Sequence, residues 1–288
     1  MLVARDWTDY ELLDAGAGEK LERWGSIILR RPDPQAIWPP LRDGRYWDRA
    51  HAVYQRSDSG GGHWRTGSST PGRWQVSYRD LQFHIEPTGF KHTGLFPEQA
   101  VNWDWMRELV ENAGRRIQVL NLFAYTGGAT VALAAAGAEV CHVDAAKRMV
   151  TRAKENAQLS GLGNRPVRYI TDDVIKFIQR EQRRGSRYDA IVMDPPTYGR
   201  GPTGELWKIE DNLYPLIEQC AVLLSDKPLF FLVNSYTTGF SPIVAANMLK
   251  TLVRERFGGT VKFGEVALPI SCSDMVLPCG SFGRWSAE

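Results

Sequence analysis

Short apolar runs alternate with longer amphipathic stretches through the last two-thirds of the chain. Strands are predicted at 117–122, 139–143, 167–171, 188–193 and 228–234, and the runs before the glycine turn, at 139–143 and at 188–193 are largely apolar, the pattern of strands buried on both faces. Between and after them, 128–136, 146–160, 173–183, 209–224 and 241–256 have the spacing of helices. A further helix is predicted over 97–113, with Trp103, Met106, Leu109 and Val110 on one side. Such alternation specifies a parallel sheet covered by helices on both faces. The tail departs from it. Two late strands, 260–268 and 275–285, have no helix between them and predict a terminal antiparallel hairpin. The fold class expected is α/β: a doubly wound, seven-stranded, mostly parallel sheet ending in that hairpin.

Residues 1–95 follow a different rhythm. An extended run at 10–14 precedes the turn Gly16-Ala17-Gly18, and 24–29 reads as a second extended run. Prolines at 32, 34, 39 and 40 exclude a long helix. The segment 58–72, with Gly60-Gly61-Gly62 and Pro71-Gly72, reads as a long loop, followed by a strand pair at 74–78 and 81–86. A small β-rich domain over 1–95 and a larger domain over 96–288 are therefore expected.

Composition adds modest constraints. A hydrophobic content of 43% with 24% charged residues is ordinary for a soluble enzyme. A formal charge of +2 gives no strong bulk attraction to polyanions. Arginine outnumbers lysine, and most of the ten tryptophans fall in the first 105 residues; arginine suits phosphate recognition and stacking on bases. Cys141, Cys220, Cys272 and Cys279 show no CxxC spacing and no histidine cluster, so no metal is expected and a reducing cytoplasm is. The first thirty residues lack the apolar core of a signal peptide, and no apolar run approaches the roughly 20 residues of a bilayer span.

The chemistry begins at Val119-Leu120-Asn121-Leu122-Phe123-Ala124-Tyr125-Thr126-Gly127-Gly128. A strand enters a glycine turn, a small-residue helix follows, and the next strand ends in Asp144. That order suits an adenosine-containing cofactor, with the carboxylate on a ribose diol. A pyrophosphate-binding turn would carry G-x-G-x-x-G, whereas only Gly127 and Gly128 are present, so S-adenosylmethionine fits better than a dinucleotide. Asp144 could equally cap the helix starting near Ala146. Asp172 and Asp173 follow the third strand, where Asp173 is the candidate for the adenine amine or, equally, a helix cap. Asp194-Pro195-Pro196 ends a buried strand; the prolines fix an extended turn and the carboxylate can accept from a substrate amine or ring edge. Tyr198 offers a face for base stacking, worth about 1–3 kcal/mol. Asn234-Ser235-Tyr236 ends the fifth strand and could hold substrate edges or satisfy loop backbone. Arg180, Arg183, Arg184 and Arg187 make a basic cluster at a helix end, either dipole-compensating or RNA-contacting.

These motifs resemble the class I methyltransferases that act on large-subunit ribosomal RNA. Asn121 to Gly128 is similar to that family's cofactor turn, and Lys91-His92-Thr93-Gly94-Leu95-Phe96-Pro97-Glu98-Gln99 to the segment before its methyltransferase domain. Asp173-Val174 and Asp194-Pro195-Pro196-Thr197 complete the likeness, which spans roughly residues 85 to 240. The resemblance implies that Lys91, Thr93, Phe96, Gln99, Asn121, Phe123, Tyr125, Thr126, Gly127, Gly128, Asp144, Ala145, Asp173, Val174 and Asp194 hold S-adenosylmethionine. It implies that Asp194, Pro195, Pro196, Tyr198 and Asn234 serve catalysis on ribosomal RNA. Two departures narrow it. The cytosine-C5 branch has Ser-Cys-Ser after the fifth strand where this chain has Asn234-Ser235-Tyr236, so the guanine-nitrogen branch is nearer. The relatives' usual N-terminal RNA-binding domain is missing, which leaves RNA contact to residues 1–95. The competing expectations are a methyltransferase on a non-RNA substrate, a nucleotide-dependent oxidoreductase, and a catalytically silent cofactor-binding module.

Overall fold

Apolar side chains on successive positions can be buried only where both faces of a strand are covered, and that requirement organises the chain. The computed structural model describes residues 1–57, 61–68, 70–200 and 206–287. It forms two compact units, Leu2–Val101 with Val266–Cys279, and Met1 with Asn102–Glu265 and Gly280–Glu288.

The first unit contains β1 (Leu2–Val3), β2 (Tyr10–Gly16), β3 (Glu19–Trp24), β4 (Ile27–Pro32), the short helix α1 (Gly44–Trp47), β5 (Ala52–Arg56), β6 (Gly62–Thr66), β7 (Trp74–Tyr78) and β8 (Leu81–Ile85). Five strands form a sheet in the order β2-β3-β4-β5-β6, and β7 pairs with β8. The expected turn after Gly16 is a two-residue hairpin with Ala17 and Gly18 at φ 52° and 79°, the left-handed backbone such hairpins require. Two expectations are corrected here. The run 24–29 is two strands, because Gly25 at φ 62° turns the chain after Trp24. The supposed loop 58–72 contains β6, held against β5 with the Trp64 and Tyr54 rings 5.4 Å apart; positions 58–60 and 69 lie outside the described residues. Inside this unit Glu22 is fully buried and accepts from Tyr10 Oη at 2.7 Å and from Arg31 Nε at 2.6 Å, with Lys20 Nζ at 3.6 Å.

The second unit carries the parallel sheet. Its strands are β9 (Gln118–Leu122), β10 (Glu139–Asp144), β11 (Val167–Thr171), β12 (Ala190–Met193), a small hairpin of β13 (Tyr198–Arg200) and β14 (Leu206–Lys208), and β15 (Phe230–Ser235). The closing hairpin, β16 (Thr260–Pro269) and β17 (Val276–Ser286), contributes its outer ends here. The order is β16-β17-β15-β12-β9-β10-β11, with β17 antiparallel to β15 and the five central strands parallel. The expected doubly wound sheet is thus present; within the first unit β1 pairs in parallel with Val266 and Ala267.

The helices that accompany these strands are α2 (Ala100–Asn112), α3 (Gly128–Ala135), α4 (Lys147–Leu159), α5 (Val174–Arg183), α6 (Ile209–Val222) and α7 (Pro242–Leu249), the last running on through a π-helical Lys250–Arg254 into the short α8 (Glu255–Phe257). One core joins Leu120, Leu122, Ile191, Met193, Phe231 and Val233 to buried side chains of α5, α6 and α7. On the opposite face Trp105 of α2 meets Phe230 at 5.3 Å. β9 has β10 on one side and β12 on the other, so the strand order reverses there. In such sheets the crevice at the carboxyl ends of the strands flanking the reversal is where ligands bind.

Candidate active site

The turn after β9 is the most constrained backbone in the second unit. Phe123, Tyr125 and Gly127 all have left-handed φ, 53°, 49° and 84°. Two non-glycine residues in that region within five positions is unusual, and such strain persists only where its surroundings enforce it. Asp144 supplies part of that enforcement: its Oδ2 accepts from Tyr125 N at 2.9 Å and its Oδ1 from Ala146 N at 2.8 Å. Asn156 Nδ2 donates to Thr126 O at 2.9 Å from α4. A Cβ on Gly127 would lie 2.7 Å from Ala153 Cβ, so only glycine lets α4 approach this closely.

Several of these residues also brace the local structure. Asn121 is buried and its Nδ2 donates to Thr130 Oγ1 at 2.9 Å; that oxygen is 2.9 Å from His142 Nδ1. This chain ties β9, α3 and β10 together beneath the turn. Burial drives His142 down to about 3, so its ring is neutral. Asp173 caps α5, its Oδ1 accepting from Lys176 N at 2.9 Å, and Val174 behind it is buried. Burial raises the Asp144 carboxyl, against the lowering effect of its two backbone donors. The basic cluster is largely internally satisfied: Arg180 pairs with Asp172, Arg184 Nη1 with Glu181 at 2.9 Å, and Arg187 with Ser186 O.

The donor set at the turn fits S-adenosylmethionine. Each Asp144 oxygen has accepted one N–H, which leaves a lone pair on each for a diol. Helix α3 starts on Gly127 with no side-chain cap, so its first-turn N–H groups remain available to a carboxylate. Ala145 is exposed beside Asp144. Lys91, Thr93, Phe96 and Gln99 belong to the other unit. There Thr93 is buried with its carbonyl accepting from Glu86 N at 3.0 Å, Lys91 O accepts from Arg31 Nη1 at 3.0 Å, and Gln99 N donates to Phe96 O at 3.1 Å.

Beyond β12, Asp194 is half-buried, Pro195 buried and Pro196 exposed. Trp207, which sequence reasoning missed, donates from Nε1 to Pro196 O at 2.6 Å and packs 5.6 Å from the Phe123 ring. It therefore braces the proline turn against the glycine turn. Its three-residue strand is too short for any periodic signal. Tyr198, on the partner strand β13, is 53% exposed. Asn234 is buried at the end of β15, and Met193 pairs with Val233, so Asp194 and Asn234 are the next residues on adjacent strands.

The sequence model of the S-adenosylmethionine-dependent methyltransferases matches residues 37–224. The chain belongs to that family. A crystal structure of a SAM-dependent methyltransferase from Agrobacterium tumefaciens is 41% identical, with a TM-score of 0.94 over 100% of this chain and 93% of that one. A methyltransferase complexed with SAH is similar at 18% identity and a TM-score of 0.71, over 98% of this chain and 76% of that one, a likeness of fold. Among curated proteins, ribosomal RNA large subunit methyltransferase K/L of Shewanella frigidimarina is 33% identical over 146 residues, 50% of this chain and 20% of its own length. Ribosomal RNA large subunit methyltransferase I of Salmonella arizonae is 30% identical over 134 residues, 46% of this chain and 32% of its own. The methyltransferase thus spans a third or less of those two relatives. Among its described residues, no helix is long and apolar enough to cross a membrane and no group of acidic, histidine or cysteine side chains is arranged to hold a metal.

Proposed function

We propose that this methyltransferase moves a methyl group from S-adenosylmethionine to a nitrogen of a ribosomal RNA base. The observation that carries the choice of nitrogen is the carboxyl end of β12 and β15, where Asp194-Pro195-Pro196 and Asn234 stand without a thiol. Methylating a pyrimidine carbon needs a thiolate to attack the ring first. Cys141 lies inside β10 and Cys220 inside α6, both buried, while Cys272 follows β16 and Cys279 lies within β17 with its thiol 3.4 Å from Leu277 O. Burial pushes Cys141 up to about 11 and raises the other three, so all four are thiols at neutral pH. The ribosomal RNA substrate draws its support from the relatives named for it.

The bound cofactor would supply an already activated methyl, so the protein's work is proximity and orientation. Phe123 to Gly128, Asp144 and Asp173 would hold the cofactor. Asp194 and the Pro195 carbonyl would accept from the base edge, and the exposed Tyr198 ring would stack on it. RNA contact outside the crevice is assigned to the arginine- and tryptophan-rich residues 1–95.

Mass spectrometry of ribosomal RNA from cells with and without the gene tests the reading. Loss of one methyl group from a large-subunit nucleotide in the deletion strain is expected, restored by wild-type protein. Asp194→Ala should restore none of it while binding S-adenosylhomocysteine with wild-type affinity by calorimetry. Unchanged methylation in the deletion strain would overturn the assignment to ribosomal RNA.

A further inference from the structure

Two side chains distant in sequence, Arg284 and Asn102, fix which way the Asn234 carboxamide faces. Arg284 of β17 donates to Asn102 Oδ1 from Nε at 2.8 Å and also from Nη2. Asn102 Nδ2 donates in turn to Asn234 Oδ1 at 3.0 Å. All three residues are buried, and the guanidinium carbon lies 4.7 Å from both the Trp105 and Phe282 ring centroids. The polarity of this chain follows from chemistry. A guanidinium has donors and no acceptor, so the Asn102 atom facing it is oxygen. The Asn102 nitrogen is thereby committed toward Asn234, and a nitrogen donor requires the Asn234 oxygen. What remains of Asn234 is its Nδ2, a donor. That atom has no partner among the described residues, yet it is absent from the polar atoms sealed without one, so it reaches open space.

We propose that Arg284 and Asn102 are positioning residues that hold the Asn234 N–H2 outward at the carboxyl-end crevice, so that the site takes its substrate through a ring carbonyl oxygen or an imine-type ring nitrogen. The inference deepens, and rests on, the reading of this crevice as a base-methylating site. Asp194, one strand away and level with Asn234, offers acceptors. Together they present a donor and an acceptor side by side, the complement of a base edge that carries both. Guanine, with O6 beside both N7 and N1–H, is such a base.

A merely structural tie between α2 and β15 and a polarity lock respond differently to Asn102→Asp. The aspartate still accepts from Arg284, now as an ion pair, but turns an acceptor toward Asn234, whose amide must then rotate and present oxygen outward. With large-subunit ribosomal RNA from the deletion strain as substrate, kcat/KM for RNA is expected to fall about 10- to 100-fold, mainly through KM. S-adenosylhomocysteine affinity by calorimetry should stay within about twofold, since the lock acts on the substrate side. Arg284→Lys preserves a donor-only partner and should retain kcat/KM within a few-fold. Full retention of kcat/KM by Asn102→Asp would overturn the proposal. If the wild-type protein methylates no RNA, the functional reading fails and neutron diffraction of the deuterated protein decides the lock by itself. Deuterium on the outward Asn234 atom supports it, and an outward oxygen refutes it.

Discussion

Asp144 spends one lone pair of each carboxylate oxygen on a backbone N–H, at Tyr125 and at Ala146. The same side chain that shapes the glycine turn is thus the one proposed to meet the ribose. Asp144→Ala should weaken S-adenosylhomocysteine binding by about 1.5–3 kcal/mol, the value of hydrogen bonds to a charged group, and calorimetry measures it directly. Wild-type affinity in that variant would remove Asp144 from the cofactor site. Gly127 is constrained from a second direction. At φ 84° and with Ala153 Cβ 2.7 Å from where its own Cβ would be, Gly127→Ala meets both left-handed strain and a steric clash. A loss of about 1–3 kcal/mol in stability is expected from urea unfolding. A smaller change would mean that α4 can shift away from the turn at little cost.

At the level of elements, β9, α3 and β10 are tied by the Asn121–Thr130–His142 chain, and that tie has a pH dependence. His142 is held neutral in the fold, at about 3, against about 6.5 when unfolded. Its contribution is therefore complete above pH 6.5 and is lost as pH falls toward 3, because only the unfolded chain then takes up the proton. His92, held down at about 4, acts in the same direction. His142→Asn should lose about 2 kcal/mol less stability than wild type between pH 7 and pH 5, read from urea midpoints at the two values. Equal losses would show that the ring is protonated within the fold.

The elements differ in how plainly they could be read from sequence, for physical reasons. Strands such as Ala190–Met193 are buried on both sides, so they stand out as unbroken apolar runs, and the carboxylates that end them follow directly. β6 is polar, glycine-led and mostly exposed, which is the composition of a loop. The turn at Gly25 was hidden because apolar residues flank it on both sides. Asn121 and Asp173 lie where a cofactor side chain was expected, and each also spends a polar atom on local support. Trp207, Asn102 and Arg284 gain their meaning from partners far along the chain, and no local spacing encodes that.

For the molecule as a whole, stability has two separate sources, one in each unit. The parallel sheet relies on its apolar core. The other unit buries an ionic cluster in which burial alone would raise the Glu22 carboxyl, but Arg31 and Lys20 hold it at about 2. That contribution is present above about pH 4.5 and is lost as pH falls toward 2. Glu22→Gln leaves the buried Arg31 without its counter-ion, while Lys20 keeps Asp33 at 3.2 Å, and should destabilise this unit by about 3–5 kcal/mol. Hydrogen exchange resolved by segment should show the loss in β2 to β4; protection unchanged there would mean that Arg31 finds another partner.

The unit built on Leu2–Val101 is completed by Val266–Cys279, which supplies the partner of β1 and a bridge from Ile270 to Leu12. During translation its opening strands leave the ribosome long before their last companion is made. They must wait, incomplete, while the entire parallel sheet between them is synthesised, so β1 and β2 are among the last strands to reach their final surroundings.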